Sequence, residues 1–240
     1  MRVSRQQAAQ NRRNILTTAS RLFRERGIGA TGVDAITEEA GLTHGAIYSR
    51  FGSKEEIAAQ AIGDALESSA KLWRRMIERE GRDQAFSLIV DAYLSPAHRD
   101  RPGQGCVVAA LGGELARQSA AVRQAFTNQL KEALGVLAGA IPRRASSRVY
   151  DDAIAAFVAM AGALIIARAV GDERFSTRIL NATAARVRVL ASGRASPTRT
   201  RRKARSGTAG SPPRRGRSVA TGADRAAAGR GAIKDKEEDQ

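Results

Sequence analysis

Residues Thr31–Glu56 read TGVDAITEEAGLTHGAIYSRFGSKEE, and the apolar spacing inside them decides the fold. Val33, Ile36 and Ala40 fall at i, i+3 and i+7, one helical face, while Ile47 and Phe51 stand four apart on a second short helix. The first helix is expected to open at Thr31. Its hydroxyl would accept from the Asp34 N–H while that carboxylate reaches back, a Thr-x-x-Asp capping box. The helix is expected to close at Gly41, which tolerates the left-handed conformation that follows a helix end. Only Leu42 separates Gly41 from Thr43, a favourable N-cap, so the second helix starts within one tight turn. That is the spacing of a helix-turn-helix. With Ile47 and Phe51 buried, Thr43, His44, Gly45, Ala46, Tyr48 and Ser49 face outward, as they would on a helix that reads bases with its N-terminal residues.

Working outward, Asn11–Arg26 forms a supporting helix whose Ile15, Ala19, Leu22 and Phe23 make one stripe, with Gly27 ending it. Met1–Gln10, with Arg2 and Arg5, reads as a frayed arm. On the other side Ser53 is the expected N-cap of a long helix that begins at Lys54 and carries Glu56 at N3. Ile57, Ala61, Ile62, Leu66 and Trp73 continue it, far enough to join a DNA-binding head to a body.

The run Gly41-Leu42-Thr43-His44-Gly45-Ala46-Ile47-Tyr48-Ser49-Arg50-Phe51-Gly52-Ser53-Lys54 resembles the signature of the TetR family of bacterial transcriptional regulators. The likeness runs from about Asn11 to Ile62 and follows A-G-[VL]-[ST]-x-G-x-[LI]-Y-x-x-F-x-[ST]-K without a gap. Gly32 stands where Ser or Thr is usual and Arg50 where His or Tyr is frequent. The resemblance implies an all-α homodimer that binds a pseudo-palindromic operator and is released by a small-molecule effector. It implies DNA-contacting roles for Thr31, Thr43, His44, Gly45, Ala46, Tyr48, Ser49, Arg50 and Lys54. It also implies an apolar effector pocket in the body, for which Trp73, Ile77, Phe86, Tyr93, Leu111, Phe126, Leu130, Phe157 and Met160 are the candidates.

Composition agrees with a helical chain. Hydrophobic residues are 42% but aromatics only 4%, so alanine dominates the apolar set and close helix packing is favoured over sheets of β-branched residues. The net charge of +16 is uneven: 1–54 carries 9 basic and 4 acidic residues, 55–191 carries 18 and 15, and 192–240 carries 13 and 5. The near-balanced middle lies between two basic segments, the distribution of a polyanion binder. Three regions follow: an arm and head at 1–54, an effector-binding and dimerisation body at 55–191, and an Arg-rich tail at 192–240 with too little apolar periodicity to fold. The tail's TRTRRKARSG and SPPRRGRS would add salt-sensitive affinity for any nucleic acid, or serve no specific role.

Within the body, helices are expected at Gln84–Leu94, Cys106–Arg117, Ala120–Ala140, Ser147–Val170 and Phe175–Leu190, with Ser95–Gly105 a loop. Ser147 and Ser176 are candidate caps for the last two. Ala153–Ala167 is apolar on every side, so a face beyond the body's own core needs covering. Ala155, Val158, Ala159, Gly162 and Ile166 are therefore the expected dimer interface, with Ala163 a further small residue for close approach. The run holds 15 residues, short of the roughly 18–20 that span a bilayer. With no apolar segment at the start, a cytoplasmic, nucleoid-associated regulator is expected.

Catalytic chemistry finds no support. His44 and His98 are the only histidines, and no triad, metal cluster, Cys-x-x-Cys or Gly-rich phosphate loop is present. Neither a cofactor nor an enzymatic activity is expected. The single cysteine, Cys106, opens a helix, where backbone amides favour a thiolate, so a redox or electrophile sensor competes with a plain core site. A nucleic-acid-coating protein driven by the Arg-rich tail is the alternative to a sequence-specific regulator.

Overall fold

The computed structural model describes residues 5–142 and 148–191. The expected arm at Met1–Ser4, the cap at Ser147 and the tail at 192–240 lie outside the described residues. Helices α1 (Arg5–Arg26), α2 (Val33–Glu39), α3 (His44–Phe51) and α4 (Lys54–Glu80) come first. They are followed by α5 (Arg82–Tyr93), α6 (Pro96–Arg99), a 3-10 turn at Pro102–Gln104 and α7 (Val107–Leu115). The helices α8 (Ala120–Ala140), α9 (Val149–Ala169) and α10 (Glu173–Ala191) complete an all-α chain, with no strand among the described residues.

The caps explain several boundaries. Ser53 Oγ accepts from the Glu56 N–H at 3.1 Å, and Glu55 and Glu56 complement the positive end of α4. Ser119 Oγ does the same for α8, accepting from the Val122 N–H at 3.3 Å. Gly41, at φ +65°, closes the turn between α2 and α3, a conformation that would strain a side chain there.

Five expectations change. Thr31 is not the cap of α2: its side chain is buried and Oγ1 donates to the Gly27 carbonyl at 2.7 Å, so Gly32 stands at the N-cap without a side-chain bond. Asp34 instead pairs with His44 across the turn. Helix α1 starts at Arg5, which takes Arg5–Gln10 out of the arm. Ser95–Gly105 is not structureless, because Ser95 Oγ accepts from the His98 N–H at 3.1 Å and starts α6 at Pro96. Ser176 is not a cap but lies buried inside α10, its hydroxyl donating to the Ala167 carbonyl at 2.6 Å.

Two apolar cores organise the packing. The first joins Ile15, Leu22 and Phe23 of α1 to Ile36, Ile47 and Phe51 of α2 and α3 and to Ile57 and Ile62 of α4. Val107, Leu111 and Leu115 of α7 and Val122 of α8 belong to the same core, so apolar packing runs across position 54. The second core gathers Trp73, Phe86, Ile89, Leu137, Phe157, Met160, Leu164 and Leu180. Each large side chain so buried contributes about 1.5–3 kcal/mol.

A polar clamp links head and body. The Glu114 carboxylate of α7 accepts from the Ile28 N–H at 3.0 Å and from the Gly29 N–H at 2.6 Å, in the turn that leads into α2. Gly27, at φ +88°, lets that carboxylate approach: a Cβ there would stand 3.0 Å from Glu114 Oε2. Arg24 Nη1 of α1 donates to the Gly105 carbonyl at 3.1 Å, tying the same head to the segment before α7.

Candidate nucleic-acid interface and body cavity

Helix α3 is anchored from beneath. Ile47 and Phe51 are 1% and 5% exposed, and Arg12 of α1 caps the Phe51 ring with its guanidinium 4.9 Å from the centroid. The opposite face carries Thr43, His44, Gly45 and Ser49, all exposed, and Tyr48, 47% exposed, whose ring lies 5.8 Å from that of His44. Ala46 occupies the same helix. A Cβ built at Gly45 meets nothing within 4 Å, so the first turn of α3 is open to a close partner. Lys54 sits at the start of α4, half-buried, with Nζ 3.3 Å from the Gly29 carbonyl.

Two of the candidate DNA contacts are turned away from that face. Thr31 is buried and spends its hydroxyl on Gly27, as above. Arg50 points toward α1, where Nη1 donates to the Ala8 carbonyl at 2.6 Å. A polar side chain near a predicted helix start could be a cap, a contact or an internal strut, and only the course of α1 decides that these two are struts.

The body encloses a cavity of about 130 Å³ between α4, α5, α9 and the Ser95–Cys106 segment. Trp73, Tyr93 and Phe157 line it among the expected residues, with Leu66, Ser69, Leu72, Met76, Ile89, Ala92, His98 and Cys106 added. Leu111 is corrected to the head core. Phe86 and Met160 are buried in the body core, Ile77, Phe126 and Leu130 pack against the two cores, and none of these five lines the cavity. Helix length alone could not separate wall from core, since both are apolar.

The cavity's polar wall is a small network. His98 Nδ1 donates to the Tyr93 carbonyl at 2.6 Å, and Nε2 accepts from the Cys106 N–H at 2.8 Å, which assigns a neutral imidazole protonated on Nδ1. Burial pushes the His98 imidazole below its usual range, and the neighbouring Arg168 and Arg24 guanidiniums push the same way, against the Tyr93 carbonyl. Arg168 donates to the carbonyls of Arg99 and His98, both at 2.9 Å, and so holds this segment to α9. Cys106 is buried at the N-cap of α7. Tyr93, stacked edge-on against His98 at 4.8 Å and Phe157 at 6.1 Å, is held by burial well above the ordinary phenol range and stays protonated.

Residues 15–61 match the model of the family described as bacterial regulatory proteins, tetR family. Over 80 residues the chain is 36% identical to the HTH-type transcriptional regulator TtgR of Pseudomonas putida, 33% of this chain and 38% of that one. The head of this chain is thus similar to the DNA-binding domain of the TetR family of bacterial transcriptional regulators. A second relative, the uncharacterized HTH-type transcriptional regulator YxaF of Bacillus subtilis, is 32% identical over 117 residues, 47% of this chain and 60% of its own. The alignments thus span 38% and 60% of these two regulators. The reduced form of E. coli NemR shares the fold, with a TM-score of 0.65 at 19% identity, covering 74% of this chain and 95% of that one. The TetR family comprises regulators of transcription, not enzymes.

One further surface lies on α9. On α9, Ala153, Phe157, Met160 and Leu164 are buried in the body, while Val158, Ile166 and Ile165 are 63%, 53% and 46% exposed. Ala155 is exposed beside them, and Ala159 and Gly162 are half-buried. Ala163 faces the core instead of the open stripe. As a helix, α9 spans 21 residues, and an 18-residue window within it has mean hydropathy 1.8, long and apolar enough by length and composition to cross a membrane. The apolar run of 15 residues lies inside this helix, which Asp151, Asp152 and Arg168 extend on either side. Its buried side packs on α8 and α10.

Proposed function

We propose that the chain is a homodimeric, ligand-responsive repressor that binds a pseudo-palindromic operator through two copies of α3. The observation that carries this is the exposed Thr43, His44, Gly45 and Tyr48 face on a helix whose other side completes a closed core. Such a face lies outside the apolar core and has the small first turn that reaches base edges. Tyr48, Thr43 and Lys54 position the helix on phosphates, while His44, Gly45 and Ala46 approach the bases.

The bare stripe of α9, centred on Val158 and Ile166, supports pairing with the same stripe of a second copy, because a two-fold interface is self-complementary. Pairing must set the two α3 helices about 34–36 Å apart, one turn of the duplex. A ligand in the body shifts α4, which begins at Lys54 beside the head and lines the cavity at Leu66 and Trp73, and so alters that separation. The protein acts in the cytoplasm, on the chromosome.

Selection of bound fragments from the source genome, followed by titration of the best fragment against a scrambled duplex, tests this reading. A preference of at least about a thousand-fold at fixed salt is expected. Equal affinity for all duplexes would fit a nucleic-acid-coating protein driven by the basic tail.

A further inference from the structure

The body cavity has the size, the neutrality and one unspent donor that together specify a class of ligand. Tyr93 is 7% exposed, and its buried Oη has no hydrogen-bond partner among the described residues. The Cys106 thiol lies beside it without a hydrogen bond of acceptable geometry, and both residues line the cavity. A buried hydroxyl without a partner is uncommon in a folded protein and asks for an explanation at the place where it occurs. Ser69 Oγ is spent on the Ala65 carbonyl, and His98 uses both ring nitrogens, on the Tyr93 carbonyl and the Cys106 N–H, while Trp73 adds an indole N–H to the same wall.

The remaining lining excludes charge. No acidic or basic side chain other than neutral His98 lines the cavity, so a carboxylate or an ammonium would lose its hydration there without a counter-ion. Arg24 and Arg168 stand behind the His98 wall, where they add positive potential and further disfavour a cation. Both are tethered, to the Gly105 carbonyl and to the carbonyls of His98 and Arg99. The volume of about 130 Å³ resembles a cavity of roughly 150 Å³ that accepts one benzene ring. Leu72, 45% exposed, lies on the open side, where such a molecule would enter.

The geometry points to an uncharged, one-ring-sized apolar molecule bearing a single carbonyl or ether oxygen that accepts from Tyr93 Oη. This rests on the ligand-responsive reading above and names its ligand class. The ring is enclosed by Trp73, Phe157 and Leu66, and the oxygen meets the fully buried, unspent hydroxyl of Tyr93. Polyanionic ligands are disfavoured by the absence of a cationic side chain from the lining.

Trp73 is the only tryptophan of the chain, so its emission reports the cavity without any assay of DNA binding. The full-length protein is titrated with cyclohexanone, methylcyclohexane, cyclohexanecarboxylate and cyclohexylammonium, with calorimetry on the same samples. Saturable binding of cyclohexanone is expected, about ten-fold tighter than methylcyclohexane, with no saturable binding of either ion. In Tyr93→Phe, which keeps the ring, cyclohexanone should fall to the methylcyclohexane level while methylcyclohexane is unchanged. Equal affinity of the two neutral compounds for the native protein overturns the role of Tyr93, and that comparison stands even if the variant does not fold. Binding of either ion at least as tightly as the ketone, or no binding of any probe, overturns the ligand class. An operator that ignores cyclohexanone, alongside saturable and Tyr93-dependent binding, would instead defeat the ligand-responsive reading and leave the site intact.

Discussion

Tyr48 is the residue on which the DNA interface can be tested with least collateral damage. It is 47% exposed and touches only the His44 ring among the described aromatics, so Tyr48→Ala should leave the fold intact. Operator affinity is expected to drop roughly ten-fold, the equivalent of one hydrogen bond of about 1.4 kcal/mol. Fluorescence anisotropy on a labelled operator, beside an unchanged circular dichroism spectrum, checks it, and undiminished affinity would remove α3 from the interface. His98 supplies a pH test. Burial holds its folded pKa below the ordinary imidazole range, so the unfolded chain takes up the proton first as pH falls. The stability that His98 contributes is therefore complete above about pH 6.5 and declines below it, as Nε2 loses its bond from the Cys106 N–H. The melting temperature of the native protein should fall more steeply between pH 7 and pH 5 than that of His98→Gln, and parallel curves would contradict the assignment. Tyr48 was legible in the sequence because its neighbours Ile47 and Phe51 mark the buried side. His98 was not, because its partners Tyr93 and Cys106 are fixed by the fold of the Ser95–Cys106 segment and by no local repeat.

Among the elements, α9 carries the clearest unpartnered surface. Its residues are apolar all round, so periodicity could not tell which side faces the body, and it could only require that something cover the remainder. Packing on α8 and α10 buries Phe157, Met160 and Leu164 and leaves Val158 and Ile166 bare. Val158→Glu would place two like charges at the centre of the proposed self-complementary contact. Light scattering should then report half the native mass, with helicity unchanged since the side chain is 63% exposed. A variant that keeps the native mass would move the interface elsewhere. Boundaries were legible where a hydroxyl caps a helix, as at Ser53, and misplaced where a hydroxyl turns inward, as at Thr31 and Ser176. Capping strength is a local property, but whether a hydroxyl is free to cap depends on which carbonyl the tertiary fold brings to it.

For the whole molecule, the decisive feature is the clamp between head and body. Glu114→Ala removes a carboxylate that accepts from two backbone amides of the turn before α2. A loss of about 2 kcal/mol is expected, read as a lower urea midpoint at constant m-value. The same variant should blunt any response of operator binding to a body ligand, since α7 joins the head core through Val107, Leu111 and Leu115. Charge acts at this scale as well. Residues 192–240 hold 13 basic and 5 acidic side chains, and their deletion should flatten the salt dependence of non-specific DNA affinity. An unchanged slope would mean that this segment does not touch DNA.

The sequence by itself determined the helix-turn-helix, its likeness to the TetR family and the order of the long helices. Those features depend on short-range spacing and residue chemistry, and both are written along the chain. Only the tertiary structure decided that Thr31 and Arg50 brace the head, that Leu111 belongs to the head core, and that Tyr93, His98 and Cys106 share one wall. Glu114 meets Gly29 across 85 positions of sequence, and no helical period reaches that far. Contacts of that range arise when helices pack, and packing chooses among apolar faces that the sequence leaves equivalent.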